Sequence, residues 1–109
     1  MDKKKPSKYG NRKVVKGGET FDSVREYERH LVLLDMQKRG EIINLQRQVK
    51  FDLVVNGHKV GKYIADWTYT RTKPTCFVVD DAKGVSTPVF RLKWALMKAL
   101  YPLWVYVLS

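Results

Sequence analysis

Two stretches of this sequence put carboxylates where charge is costly: Tyr63-Ile64-Ala65-Asp66-Trp67 and Phe77-Val78-Val79-Asp80-Asp81-Ala82-Lys83-Gly84. Both are rich in apolar, aromatic and β-branched residues and read as strands, and a mostly buried strand rarely carries charge without a partner. Side chains alternate along a strand, so Asp81 and Lys83 share one face while Asp80 takes the other. If Asp66 on a neighbouring strand points to that same face, two acids and an amine converge. Two carboxylates that close repel unless a proton or a cation lies between them. A Mg²⁺ ion suits the place, since it accepts one or two protein carboxylates and binds phosphate oxygens. Such an ion polarises a phosphodiester and lowers the pKa of a bound water, and Lys83 could orient that water, deprotonate it or neutralise developing charge. The same residues would also make an ordinary Asp-Lys ion pair on a half-exposed sheet, and spacing alone does not separate the two.

The elements that must position these residues follow from pattern and punctuation. Ser23-Val24-Arg25-Glu26 matches a capping box, in which Ser23 takes the amide three residues on and Glu26 reaches back to the Ser23 amide. A helix is predicted from Ser23 to Arg39, with Tyr27, Leu31 and Leu34 as its apolar stripe and Gly40 as its stop. On helix logic alone, Glu26 is a cap. Alternation from Leu45 to Val55 predicts a strand whose two faces differ, and Asn56-Gly57 is a hairpin turn signal because both central residues of a type I′ turn need positive φ. Antiparallel partners are expected over His58 to Tyr69 and then Thr75 to Ala82, with a turn at Arg71 to Pro74. Thr87-Pro88 starts a second helix with Val89, Leu92, Leu96 and Leu100 as its apolar stripe, and Tyr101-Pro102 ends it. Leu103 to Leu108 supplies a last strand, apolar on both faces and so expected to be central or well covered. A strand, helix, strand crossover is right-handed and parallel, so the fold expected is α/β with a mixed sheet.

Charge and cysteine usage narrow the partners. Among 109 residues, 21 Lys and Arg against 11 Asp and Glu give a formal charge of +10, which favours a polyanion such as nucleic acid. Residues 1–16 carry Lys3, Lys4, Lys5, Lys8, Arg12, Lys13 and Lys16 and read as a flexible basic arm that tracks phosphates, leaving residues 17–109 as a single domain. Val14-Val15 before Gly17-Gly18 suggests a short strand and turn at their junction. Gln48 is a candidate contact near the acids or to a phosphate, and Arg91 and Lys93 on the second helix are candidate grips on a nucleic-acid backbone. Cys76 alone cannot form an internal disulfide, and no zinc-type Cys/His cluster exists. His30 and His58, on a helix and beside a hairpin turn, suit packing or surface roles. Trp94, Tyr101, Trp104 and Tyr106 suit a core or a subunit interface. The apolar run near the C-terminus is broken by Lys93, Lys98 and Pro102, and no apolar run follows the N-terminal lysines, so neither a membrane span nor a secretory signal is expected.

Taken in order, these pieces resemble the PD-(D/E)XK nuclease superfamily, with its αβββαβ, restriction-endonuclease-like core. The matching motifs are Ile64-Ala65-Asp66 and Asp81-Ala82-Lys83, with Glu26 on the first helix. More closely, the chain looks like a family of short phage and prophage nuclease-like proteins similar to Holliday junction resolvases. That likeness rests on Lys8-Tyr9-Gly10-Asn11, Phe21-Asp22-Ser23 with Glu26, Gln48-Val49-Lys50-Phe51, Tyr63-Ile64-Ala65-Asp66, and Asp80-Asp81-Ala82-Lys83-Gly84 leading into Thr87-Pro88. The resemblance implies Mg²⁺- or Mn²⁺-dependent cleavage of branched DNA. Asp66, Asp81 and the Ala82 carbonyl would be metal ligands, Glu26 would bind directly or through water, and Lys83 would stand beside the nucleophilic water. Ala65 replaces the proline of the superfamily's name, and Asp81 stands where Glu is more usual. Two coordinated cuts at a junction imply a homodimer, and a phage protein of this kind would act in the host cytoplasm. A nicking endonuclease or exonuclease on unbranched DNA, and a non-catalytic DNA-binding accessory that keeps the fold, are the alternatives.

Overall fold

The computed structural model describes residues 13–109. A two-stranded hairpin leads: β1 (Val14–Lys16) pairs antiparallel with β2 (Glu19–Phe21) across Gly17-Gly18, both at positive φ. The hairpin takes Val14–Lys16 out of the expected arm, and Lys3, Lys4, Lys5, Lys8 and Arg12 lie outside the described residues. There follow α1 (Val24–Lys38), β3 (Ile42–Val55), β4 (His58–Thr72), β5 (Thr75–Asp81), α2 (Pro88–Leu100) and β6 (Val105–Leu108). The predicted α/β class and mixed sheet are what is found. The four long-range strands run in the order β3-β4-β5-β6, antiparallel except for the β5–β6 pair that α2 connects.

Local chemistry explains most boundaries. Ser23 caps α1 by accepting the Glu26 amide, and Thr87 caps α2 by accepting the Phe90 amide, with Pro88 in the first turn. Asn56 and Gly57 both adopt positive φ (51° and 80°) in the hairpin between β3 and β4. β3 starts at Ile42 rather than Leu45, because Asn44 adopts positive φ and the register against β4 shifts between Ile43 and Gln46. Such a bulge hides the first residues of the strand from any alternation pattern.

The sheet separates two apolar layers. Leu33 and Met36 of α1 pack against Ile42, Trp67, Tyr69 and Val78 on one side. On the other, Met97, Phe90 and Trp94 of α2 pack against Leu53, Tyr63, Ala65 and Val79. The helix faces differ in part from those predicted: of the α2 stripe, Leu96 and Leu100 pack against the core as expected. α1 buries Glu26, His30 and Leu33 and leaves Leu31 and Leu34 exposed, while Val89 and Leu92 of α2 are more than half exposed at 61% and 63%. In α2 the larger side chains Phe90, Trp94 and Met97 take the sheet, which removes more apolar area from water than the Val89/Leu92 stripe would. Of the two expected placements, central or well covered, β6 takes the second: it is an edge strand that begins at Val105, with Leu103 92% exposed before it, and its two faces are covered by the two apolar layers. Tyr106, with Trp104 just before the strand, packs against the α2 layer, and Val105 and Val107 pack against the α1 layer. Among the described residues, no helix is long and apolar enough to cross a membrane.

Candidate active site

The residue types singled out in the two acidic strands meet at one end of the sheet. A cleft of about 220 Å³ is lined by Glu26 of α1, Asp66 of β4, and Ala82 and Lys83 just beyond β5, with Arg25 and Thr87 also on its wall. Asp81 is completely buried behind it. Its carboxylate accepts a hydrogen bond from the Tyr63 hydroxyl, and Lys83 Nζ lies 3.3 Å from its Oδ1. Lys83 also sits 4.9 Å from the centre of the Phe90 ring, which orients the ammonium over an aromatic face. The Lys83 backbone is fixed in turn, because its N–H donates to the Ser109 carbonyl at the end of β6 (3.1 Å).

Asp66 is nearly buried and accepts the Ala82 amide at Oδ2 (3.0 Å). Burial first, and then the adjoining Asp81 carboxyl, push its pKa up to about 7, against the Ala82 amide and the Lys83 charge, which lower it. Glu26 is raised too, chiefly by burial, while the Asp22 amide it accepts pulls the other way. That amide, at 2.8 Å from Oε1, replaces the Ser23 amide the capping-box pattern predicted. The other oxygen, Oε2, accepts Arg47 Nη2 at 3.1 Å and Gln48 Nε2 at 3.4 Å. The same Gln48 nitrogen is 3.4 Å from Asp66 Oδ1.

Asp80 turns away, as alternation predicted. Its carboxylate accepts Arg29 (2.6 Å), the Tyr69 hydroxyl (2.7 Å) and the Ser109 hydroxyl (3.0 Å), a closed set with nothing left for the cleft.

The site depends on a break in strand alternation. Consecutive strand residues point to opposite faces, yet Arg47 and Gln48 both reach Glu26. Gln48 has φ +54°, although Arg47 opposite Trp67 and Val49 opposite Ala65 stay in register on either side. A non-glycine residue held left-handed inside a strand costs about 1–2 kcal/mol, which the surrounding pairing must offset. Gln48 is solvent-exposed, yet its amide reaches both Glu26 and Asp66 from the rim of the site.

The remaining candidates are placed as follows. Arg91 is exposed and donates to the Ser86 carbonyl (2.9 Å), Lys93 is half-buried on α2, and Lys13 makes a solvent-exposed pair with Asp22. His30 is buried, stacks on Trp67 and accepts its Nε1–H at Nδ1 (3.1 Å), while His58 is exposed at the start of β4, so the two histidines have the packing and surface roles expected. Sequence reasoning did not pick out Arg47, Tyr63 or Arg29. Tyr63 stood inside the first acidic stretch, and its hydroxyl beside a buried acid was the available signal. Arg47 and Arg29 gave none beyond their charge.

Three acids do not by themselves make a closed ligand shell here: among the described residues, no group of three or more His, Cys, Asp or Glu side chains is close enough to hold a metal. Asp66 and Asp81 adjoin, and Glu26 joins them through Gln48. The sequence model of a family described as "Protein of unknown function (DUF1064)" matches residues 6–106. The chain belongs to the DUF1064 family. The matched span of this DUF1064 chain includes Glu26, Gln48, Asp66, Asp81 and Lys83, so the whole cleft lies within it. No curated protein matches the chain, and no solved structure matches it.

Proposed function

We propose that this DUF1064 protein is a divalent-metal-dependent, structure-selective DNA endonuclease of the Holliday junction resolvase kind, hydrolysing phosphodiester bonds in branched DNA as a homodimer in the cytoplasm. The observation that carries this reading is the pairing of Asp66 with Asp81 beside Lys83, in a chain of net charge +10. The donor set fits a hard cation. Asp81 Oδ1 is buried and accepts no hydrogen bond, with the Lys83 ammonium 3.3 Å away, and burial beside Asp81 pushes the Asp66 pKa up to about 7, so a cation between the two acids would favour both in their ionised form. Mg²⁺ or Mn²⁺ would be held by Asp66, Asp81 and the Ala82 carbonyl, with Glu26 bound directly or through water. When bound, the ion supplies positive charge to phosphate oxygens and acidifies a water.

The chain's own groups do the rest. Tyr63 and the Ala82 amide fix the two aspartates by hydrogen bonds at their buried sides, so that neither must reorganise when a phosphate enters. Lys83, anchored by Asp81 and Phe90 at the cleft wall, orients the attacking water and offsets charge developing on the phosphate. Arg25 on the same wall makes no ion pair among the described residues and is free to take a backbone phosphate; Arg91, Lys93 and the N-terminal lysines extend that grip. Cleavage assays on junction, flap, duplex and single-stranded DNA, each with Mg²⁺, Mn²⁺ or EDTA, test the proposal. Metal-dependent cutting concentrated on branched substrates is expected. Cutting confined to unbranched DNA would favour a nicking enzyme or exonuclease, and no cutting of any substrate with metal would leave a DNA-binding accessory.

A further inference from the structure

Gln48 joins two carboxylates that no other side chain joins. Its Nε2 lies 3.4 Å from Glu26 Oε2 on α1 and 3.4 Å from Asp66 Oδ1 on β4. A primary amide is suited to this, because one nitrogen carries two hydrogens and no charge, so it bridges two acids without neutralising either. Lysine in the same place would act as a built-in cation, glutamate would add a third repelling carboxylate, and asparagine is one methylene shorter. Meanwhile Arg47 pulls on the same Glu26 oxygen at 3.1 Å, and its guanidinium is itself fixed by Glu19 (2.9 Å), the Thr20 carbonyl (3.2 Å) and the face of Phe21 (3.9 Å). Glu26 is therefore shared between an arginine that leads toward the β1–β2 hairpin and a glutamine that leads toward Asp66. The positive φ of Gln48 is what aims the amide there.

We propose that Gln48 is a positioning residue of the cation site: its amide tethers Glu26 to Asp66 against the pull of Arg47, so that the helix contributes an acid to the same ion as the two strands. The inference rests on the proposed metal-dependent function. Without the tether, Glu26 is held by the Asp22 amide and Arg47, and the cation is left with the Asp66/Asp81 pair.

Isothermal titration of the full chain with Mn²⁺ alone, without nucleic acid, tests this on wild type, Gln48→Gly and Gln48→Leu, alongside thermal melts in EDTA. Glycine accepts the positive φ freely, so Q48G removes the amide while relaxing the backbone, whereas Q48L removes the amide and keeps the backbone strained. Loss of an outer-shell partner costs about 10- to 100-fold in metal affinity, and that loss is expected in both variants, with Q48G melting above Q48L. A merely structural Gln48 would move the melts and leave the Mn²⁺ affinity alone. Mn²⁺ binding by folded Q48G within about twofold of wild type overturns this inference and leaves the nuclease proposal standing. Weakened binding in Q48L only would assign the effect to the backbone and likewise overturn it. Failure of the wild type to bind Mn²⁺ overturns both.

Discussion

Asp80 and Asp81 are consecutive and both fully buried, yet they serve separate structures: Asp80 ties β5 to α1 through Arg29, while Asp81 backs the cleft between Tyr63 and Lys83. One step of strand alternation thus divides a fold-holding acid from a site-building one.

That division gives opposite phenotypes for two neighbouring amides. Asp80→Asn leaves the Arg29 guanidinium, mostly withdrawn from water, without its counter-charge, and breaking one partner of a buried pair costs about 3–5 kcal/mol. Asp81→Asn should cost less stability and abolish metal-dependent cleavage. Urea unfolding in EDTA, set beside Mn²⁺ titration, separates them, and equal stability losses would contradict the assignment.

The Tyr63 hydroxyl donates to Asp81 and carries no charge of its own. Tyr63→Phe removes it, leaves a buried carboxylate oxygen unsatisfied and should cost about 1–3 kcal/mol. Because Asp81 keeps Lys83, cleavage should fall without vanishing, whereas Asp66→Asn and Lys83→Ala should each lower it by about 100-fold or more. Rates measured on one branched substrate at saturating Mg²⁺ rank the four proteins; wild-type rates in D66N or K83A would remove those residues from the site.

Much of this arrangement was legible in the sequence, because the signals were local. Ser23, Thr87-Pro88 and Asn56-Gly57 set caps and a turn by their own backbone chemistry, and alternation alone put Asp81 and not Asp80 toward Lys83. What failed was decided by packing at a distance. The buried face of α1 runs through Glu26 and His30 because the site and Trp67 supply their partners, so the more apolar Leu31 and Leu34 are left outside. The doubled orientation of Arg47 and Gln48 was equally hidden, since nothing in a glutamine's identity announces positive φ. Both of its effects, the Arg47 grip on Glu26 and the Gln48 bridge, belong to the pairing of β3 with β4 rather than to either residue.

Raised carboxyls, Asp66 foremost with Glu26 acting in the same direction, and a lowered His30 should give the metal-free protein opposing pH responses within one window. Asp66 has a folded pKa raised to about 7 from 3.8, so the native state binds its proton more tightly, and its contribution to stability is fully present below the unfolded value and lost as pH rises through about 7. His30 is lowered from 6.5, first by burial and then by the Arg47 charge, so its contribution is present above 6.5 and is lost as pH falls through the depressed folded value, when the proton on Nδ1 would break the Trp67 bond. Each group can tilt stability by at most about 1.4 kcal/mol per pH unit, and the wild-type curve in EDTA should be nearly flat where the two overlap. Asp66→Asn should expose a fall in stability toward acid, and His30→Gln, whose amide oxygen still accepts the Trp67 N–H, should expose a fall toward neutral pH. Divalent metal should remove the second fall only, since it binds the ionised carboxylates of the native state. Chemical unfolding from pH 5 to 8 with EDTA or Mg²⁺ measures all of these, and slopes of the opposite sign in either variant would show that the burial of that group does not govern its titration.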